Sequence, residues 1–313
     1  MEATTQPANM RPRPEDAPAP ELPRRLIVAI PSTARRDILT RTVRAIREQT
    51  RHPDQLLISV ASDGDIDRTA LSDLPFPIRV LTGPKGGSPQ RNRIFQHLTE
   101  ADTVLLLDDD FLMEKGYLAA VDALFKTQLD VVMASGTLVA DDVSGPGLTH
   151  EDGQGLLEDL PPTGSSLTDI HNGYGCNMAF RARPALRNNI RFDEALPLYS
   201  WLEDVDFSRR LAPYGRIVRN EATVGVHLGT KVGRSPGRRL GYSQLSNPVY
   251  LVGKGTMGRR RALRLMTRNV VSNLVYSIRP RPWTDSRGRL RGNLLAIGDL
   301  LRGRLSPARA VDL

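Results

Sequence analysis

Short apolar runs that each stop at a polar cluster dominate the first half of the chain. Arg25-Leu26-Ile27-Val28-Ala29-Ile30 ends at Pro31, Gln55 to Val60 ends at Ser62-Asp63-Gly64-Asp65, and Thr103 to Leu107 runs into Asp108-Asp109-Asp110. Runs of this length, spaced by helix-compatible segments, predict buried strands alternating with helices. Between them, Leu39, Val43 and Ile46 share one helical face behind Asp37 as cap. Gly86-Gly87 precedes a helix with Ser88 as N-cap and Pro89 as first residue, running to about Leu98. Ile78 to Leu81 adds a strand, Tyr117–Phe125 a helix and 130–134 a further strand. This alternation predicts an α/β domain with a mixed, mostly parallel sheet flanked by helices. Ligands bind at the carboxyl ends of such strands, where all three polar clusters fall.

The remaining chain divides by composition. Residues 1–23 hold six prolines and little apolar content, which predicts a disordered leader. Residues 24–255 form one large domain, in two halves at 24–135 and 136–255. From Gly136 to Gly173 the chain reads as one long irregular loop of the kind that covers a site. Cys176 to Phe180 resumes as a strand, Trp201 to Leu211 as a helix, and Arg216 to His227 as an extended segment. Residues 256–313 form a basic tail in which Leu263, Met266, Val270, Leu274 and Ile278 recur at helical spacing. From Lys254 onward there are 14 Lys+Arg against 3 Asp+Glu, or +11, so the overall +8 leaves −3 for the rest. A helix of this kind either packs on the domain or lies on an anionic membrane surface. Nucleic-acid binding is not expected, since aromatic platforms and a recognised motif are missing. One cysteine excludes an internal disulfide, and no apolar run reaches the roughly 18 residues that span a bilayer, so a cytoplasmic chain, peripheral at most, is expected.

The aspartate run carries the chemistry. In extended backbone, alternate residues point to one side, so Asp108 and Asp110 can share a ligand. Packed carboxylates repel unless they bind a proton or a cation, and Mg²⁺ or Mn²⁺ suits oxygen donors. A cation held by two or three carboxylates keeps places for phosphate oxygens and would neutralise a departing diphosphate. Asp63 is either a turn aspartate or a partner for a base N–H. Gly87, at a helix N-terminus with Arg91 nearby, is placed to admit phosphate. His227 is either structural or a metal ligand, and Lys231, Arg234, Arg238 and Arg239 either close over the diphosphate or lie solvated. Neither a G-x-G-x-x-G fingerprint nor a Walker loop is present, which argues against dehydrogenases and ATPases.

Together these segments resemble the family 2 glycosyltransferases, inverting enzymes of the GT-A fold. Ile30-Pro31-Ser32-Thr33 looks like the family's opening, and the resemblance places Pro31, Thr33 and Arg35 against the nucleoside. Ser62-Asp63-Gly64 is similar to the uridine-contacting Asp-Asp-Gly, which favours a UDP-sugar. Gly87 to Arg93 resembles the Arg-Asn stretch, with Arg91 toward the donor. Asp108-Asp109-Asp110 is similar to the D-x-D motif, with Asp109 on the donor side. Glu203-Asp204-Val205-Asp206 resembles the Glu-Asp helix, making Asp204 the expected general base with Glu203 beside it. The implied reaction moves a sugar to a glycan acceptor, lipid-linked if the tail meets a membrane, as in exopolysaccharide assembly. The alternatives are a sugar-nucleotide pyrophosphorylase and a non-catalytic carbohydrate- or nucleotide-binding module.

Overall fold

In the computed structural model, which describes residues 24–158, 160, 164–233 and 235–313, alternate side chains of the first strand feed two different cores. Leu26, Val28 and Ile30 of β1 (Leu26–Ser32) pack on one face of the sheet. Ile27 and Ala29 pack on the other. A strand apolar on both faces needs cover on both, and helices supply it. After β1 come α1 (Arg36–Ala45), β2 (Gln55–Val60), β3 (Ile78–Thr82), α2 (Gly87–Phe95), β4 (Thr103–Leu107) and β5 (Phe111–Met113). The chain continues through α3 (Tyr117–Thr127), β6 (Val131–Asp141), α4 (His150–Glu158), β7 (Leu167–Asp169), β8 (Asn177–Arg181) and α5 (Ala182–Arg187). It ends with α6 (Glu203–Leu211), β9 (Arg216–His227), α7 (Gly237–Lys254), α8 (Arg259–Ile278) and α9 (Ser286–Leu301).

Among the described residues the strands make one nine-stranded sheet, ordered β3-β2-β1-β4-β8-β6-β9-β5, with β7 beside β9. β1 pairs parallel with β2 and β4, so the ends of all three point to one rim. β8 runs antiparallel between β4 and β6, which makes the sheet mixed, as expected. One core joins β1 and β2 to α1 and α3; the other joins them to α2, α5 and α6. The second contains an aromatic cluster in which Phe207 stacks on Phe192 at 4.3 Å and meets Phe180 edge-on at 5.1 Å.

Several boundaries differ from the sequence reading, each for a local reason. β1 continues through Pro31 and Ser32. This is tolerated because the β4 register ends at Ala29, leaving Pro31 opposite Ser59 of β2 alone. Asp37 does not cap α1: Ala34 turns left-handed at φ 56°, and the helix starts behind Arg35. Gly86, not Ser88, opens α2, at a φ of 143° open to glycine. That helix stops at Phe95, and α6 starts at Glu203 because Leu202 is left-handed at φ 75°. The expected 136–173 loop is largely ordered: β6 runs to Asp141, and α4 and β7 follow. Gly136 sits inside β6 because a Cβ there would come within 2.5 Å of the Tyr117 hydroxyl. The expected leader, residues 1–23, and Arg234 lie outside the described residues.

The basic C-terminal segment is packed rather than free on one side. α7 and α9 approach closely through glycines: a Cβ on Gly241 would meet the Arg289 carbonyl at 2.0 Å, and one on Gly292 the Arg238 carbonyl at 2.1 Å. Asn273 of α8 donates to Gln244 of α7 and Asn293 of α9, at 2.7 Å each. The start of α8 joins a small core with Leu202 and Val205, beside which Trp201 packs. No helix among the described residues is long and apolar enough to cross a membrane.

Phe207 is fully buried against the rings of Phe95, Phe180 and Phe192. Phe207→Ala is therefore expected to lower unfolding free energy by about 3–5 kcal/mol, read from the midpoint of urea unfolding.

Candidate active site

The chain leaves β4 at Leu107, and Asp108, Asp109 and Asp110 follow at the rim that β1 and β2 also reach. Phe111 then turns back into β5, which pairs with the end of β9 and sets Phe111 opposite His227. This return brings the histidine to the aspartates. Its Nε2 lies 3.3 Å from Asp110 Oδ1 and 3.9 Å from Asp108 Oδ2. Ligand atoms of Asp108, Asp110 and His227 all fall within 4.8 Å of one another. Asp110 Oδ1 is buried and makes no hydrogen bond, leaving it aimed into the cluster. Two carboxylates and an imidazole form a donor set that suits Mn²⁺ and accepts Mg²⁺. His227 Nδ1 lies 2.9 Å from Asp141 Oδ1, which directs the other ring nitrogen at the aspartates. Asp141 also accepts from the Tyr174 hydroxyl at 2.9 Å.

Asp109 turns the other way. It accepts from Ser32 Oγ at 2.5 Å and from Arg35 at 2.8 Å. Burial pushes its carboxyl up to about 6 against the pull of Arg35. Burial would also raise Asp110, yet the adjoining imidazole and Arg35 bring it down to about 2. Burial opposes charge on His227 too, but Asp110, Asp141 and Asp108 outweigh it and lift the imidazole to about 10. The cluster thus holds a proton where a cation would sit.

Arg35 spans the gap to the strap after β9, donating to the carbonyls of Val232 at 2.8 Å and Thr230 at 3.3 Å. The Thr230 N–H donates to Asp110 Oδ2 at 2.8 Å, so aspartate and arginine together fix this strap. Lys231 donates to the carbonyls of Asp142 and Val143. Thr33 gives its hydroxyl to Gln90, whose amide donates to the Ser32 and Ser59 carbonyls and locks α2 to the two strand ends. Pro31 sits half-buried just before this junction.

The acidic α6 divides its three carboxylates. Glu203 forms a buried ion pair with Arg91, which also reaches Asp108 Oδ1 at 3.3 Å and the Gly175 carbonyl at 3.2 Å. Burial pushes the Glu203 carboxyl up to about 8, against the opposing pull of the Arg91 guanidinium. Asp206 is buried against Lys254, Thr256 and Arg210, joining α6 to the end of α7. Asp204 alone remains partly exposed, accepting from the N–H groups of Gly175 and Val205 at 3.2 and 2.8 Å. Burial raises its pKa, despite its place at a helix start. Gly175 thereby separates Asp204 from the aspartate run, since the neighbouring Cys176 carbonyl accepts from Asp108 N at 3.1 Å.

Two expected donor contacts have other roles. Gly87 does not offer its N–H to phosphate: it donates to the Leu198 carbonyl, and a Cβ would come within 3.0 Å of the Tyr199 carbonyl. The next amide, Ser88, is taken by Ser200 Oγ at 2.9 Å. Asp63 points outward to Arg68 at 3.1 Å. Buried Asp65 holds that loop instead, accepting from the backbone of Ala34, Ala61 and Ser62. Asp65, Ser32, Gln90 and Asp141 escaped the sequence reading. Only Asp65 carried a signal there, as the acid of a capping box begun by Ser62.

Because a cation must displace the His227 proton, apparent Mn²⁺ affinity should rise by about tenfold per pH unit between about pH 6 and pH 8. Titration in buffers of different ionisation enthalpy should show one proton released, and Asp110→Ala should abolish uptake.

No curated protein matches the sequence significantly. Among solved structures, residues 1–349 of TarS from S. aureus in complex with UDP-GlcNAc align over 90% of this chain and 81% of that one, with 13% identity and a TM-score of 0.53. The mannosyltransferase PcManGT from Pyrobaculum calidifontis, in complex with GDP-Man and Mn²⁺, aligns over 94% and 80%, with 17% identity and a TM-score of 0.50. Against a longer S. aureus TarS chain, 16% identical with a TM-score of 0.45, the match covers 64% of this chain and 36% of that one. These likenesses concern the fold. The profile described as Glycosyl transferase family 2 matches residues 27–186, just over half of the sequence and including β1, the aspartate run and β8. The chain belongs to glycosyl transferase family 2.

Proposed function

We propose that this glycosyltransferase takes a nucleotide-diphosphate sugar, UDP-linked by preference, and passes the sugar to a hydroxyl of a glycan acceptor with inversion. The observation that carries the reading is the convergence of Asp108, Asp110 and His227 at one rim, with Asp204 alone in α6 kept available across Gly175. Asp108, Asp110 and His227 would hold a divalent cation, which when bound supplies Lewis-acid neutralisation of the departing diphosphate. Arg35 and Lys231, beside the cluster and at the strap, add positive potential for the same charge. Asp109 positions Arg35, and Pro31 and Thr33 form the floor beneath the nucleoside.

Asp204 takes the proton of the acceptor hydroxyl as that oxygen attacks the anomeric carbon. A carboxylate whose pKa is raised by burial is a stronger base than a solvated one. Glu203 stays paired with Arg91 and keeps α6 in register with Asp108. The acceptor is a lipid-linked glycan, a reading supported by the basic C-terminal helices, and the site of action is the cytoplasmic face of a membrane, as exopolysaccharide assembly requires.

A panel of nucleotide sugars should show metal-dependent turnover and protection from thermal unfolding by one nucleoside diphosphate. Asp204→Asn should keep that protection while lowering kcat by about 10²–10⁴-fold. Unchanged turnover would remove Asp204 from the role of base, and protection without cation would remove the metal.

A further inference from the structure

Helices α8 and α9 each bury one face and leave the other apolar and exposed. α8 turns Ala262 and Asn273 inward, with Met266 and Val270 packed against the core of α7 and α9. Its outer side carries Leu263, Val271, Leu274, Val275 and Ile278, with Leu263 63% and Ile278 75% exposed. At 100° per residue, Leu263, Val271, Leu274 and Ile278 fall within an arc of about 80°. α9 repeats the arrangement with Leu294, Ile297 and Leu301, of which Leu294 is 61% and Leu301 83% exposed. Isolated exposed leucines are ordinary, but stripes of them on consecutive helices mark a surface that meets something apolar.

The charge beside these stripes says what that is. Arg260, Arg264 and Arg268 border the stripe of α8; Arg287, Arg291 and Arg302 border that of α9. α8 contains no acid, and the single acid of α9, Asp299, is buried and paired with Arg304 and Arg309. A cavity of about 490 Å³ opens at α9, lined by Arg238, Arg291 and Arg302 beside Leu294 and Leu295, with Asp299 at its wall neutralised by Arg304 and Arg309. Arg238 and Arg291 have no carboxylate partner among the described residues. Leu294 belongs to both the stripe and the cavity wall, so basic hollow and apolar strip form one surface. A second copy of the same face would bring arginines against arginines, which disfavours self-pairing.

We propose that the outer face of α8 and α9 docks on an anionic phospholipid bilayer, its apolar stripes entering the acyl boundary and its arginine-lined cavity taking a lipid phosphate. Helices with an apolar strip flanked by arginine bind in this way, drawing on buried area and on attraction to anionic headgroups. Docking does not depend on the transfer chemistry, because none of these residues belongs to the aspartate cluster.

The test is sedimentation of the full chain with vesicles of phosphatidylcholine alone or mixed with phosphatidylglycerol. Binding is expected to the mixed vesicles only, weakening by about tenfold or more when salt rises from about 0.1 to about 0.5 M. The exposed pair Leu274→Glu with Ile278→Glu should lose binding, as should Arg291→Glu with Arg302→Glu. Both should keep wild-type thermal unfolding and nucleoside diphosphate protection, which separates failure to dock from failure to fold or to bind donor. Equal binding to both vesicle types, no binding, or undiminished binding by the leucine–isoleucine variant would overturn the proposal. So would a wild-type dimer that this variant dissociates, or stabilisation by inorganic phosphate without vesicle binding, which would mark a small-anion site.

Discussion

Three consecutive aspartates at the end of a buried strand cannot stay ionised together without cations close by. The architecture around β4 answers that constraint from several sides. Arg35 arrives from the β1–α1 turn, Arg91 from the first turns of α2, and His227 from the end of β9. Each comes from a separate segment, so the repulsion of one short run is offset only when β1, α2 and β9 are all in place. Breaking one partner would leave a buried carboxylate uncompensated, which is far costlier than losing a surface ion pair. The site is thus also a structural junction, and its substitutions should be judged by folding as well as by turnover.

The same carboxylates hold the segment that follows β9. Asp110 accepts from the Thr230 N–H, and Arg35, held by Asp109, donates to the carbonyls of Thr230 and Val232. Charge entering the cluster therefore acts directly on the segment above it. On the other side, α6 shows how one acidic helix start serves three purposes. Glu203 anchors on Arg91, Asp206 ties to α7, and Asp204 stays partly exposed beside Gly175. The left-handed residues Leu198, Ser200 and Leu202 just before it are strained positions that the packing of Leu202 and Ser200 maintains.

Much of this was legible in the residues. β2, β4 and β9 are apolar or extended segments bounded by turn signals, and their limits were read correctly, as was the aspartate run at the rim. The segments that escaped share a cause: glycine and proline placed by distant contacts rather than by local conformation. Gly136 makes room for Tyr117 inside β6, so the strand that delivers Asp141 looked like a loop. Gly241 and Pro248 lie inside α7, where Gly241 is needed for the approach of α9. Asp63 was favoured over Asp65 because spacing alone does not show which acid turns inward. Gly87 was read as a phosphate seat because the segment 198–200 that covers it is far away in sequence.

One diffraction measurement bears most directly on the cluster's role. Crystals grown with Mn²⁺ and a nucleoside diphosphate, measured at the manganese absorption edge, should give an anomalous peak contacting Asp108, Asp110 and His227, with phosphate oxygens completing its coordination. A peak elsewhere, or nucleotide bound with Arg35 and a protonated His227 still closing the cluster, would contradict the assignment of these residues as the cation site.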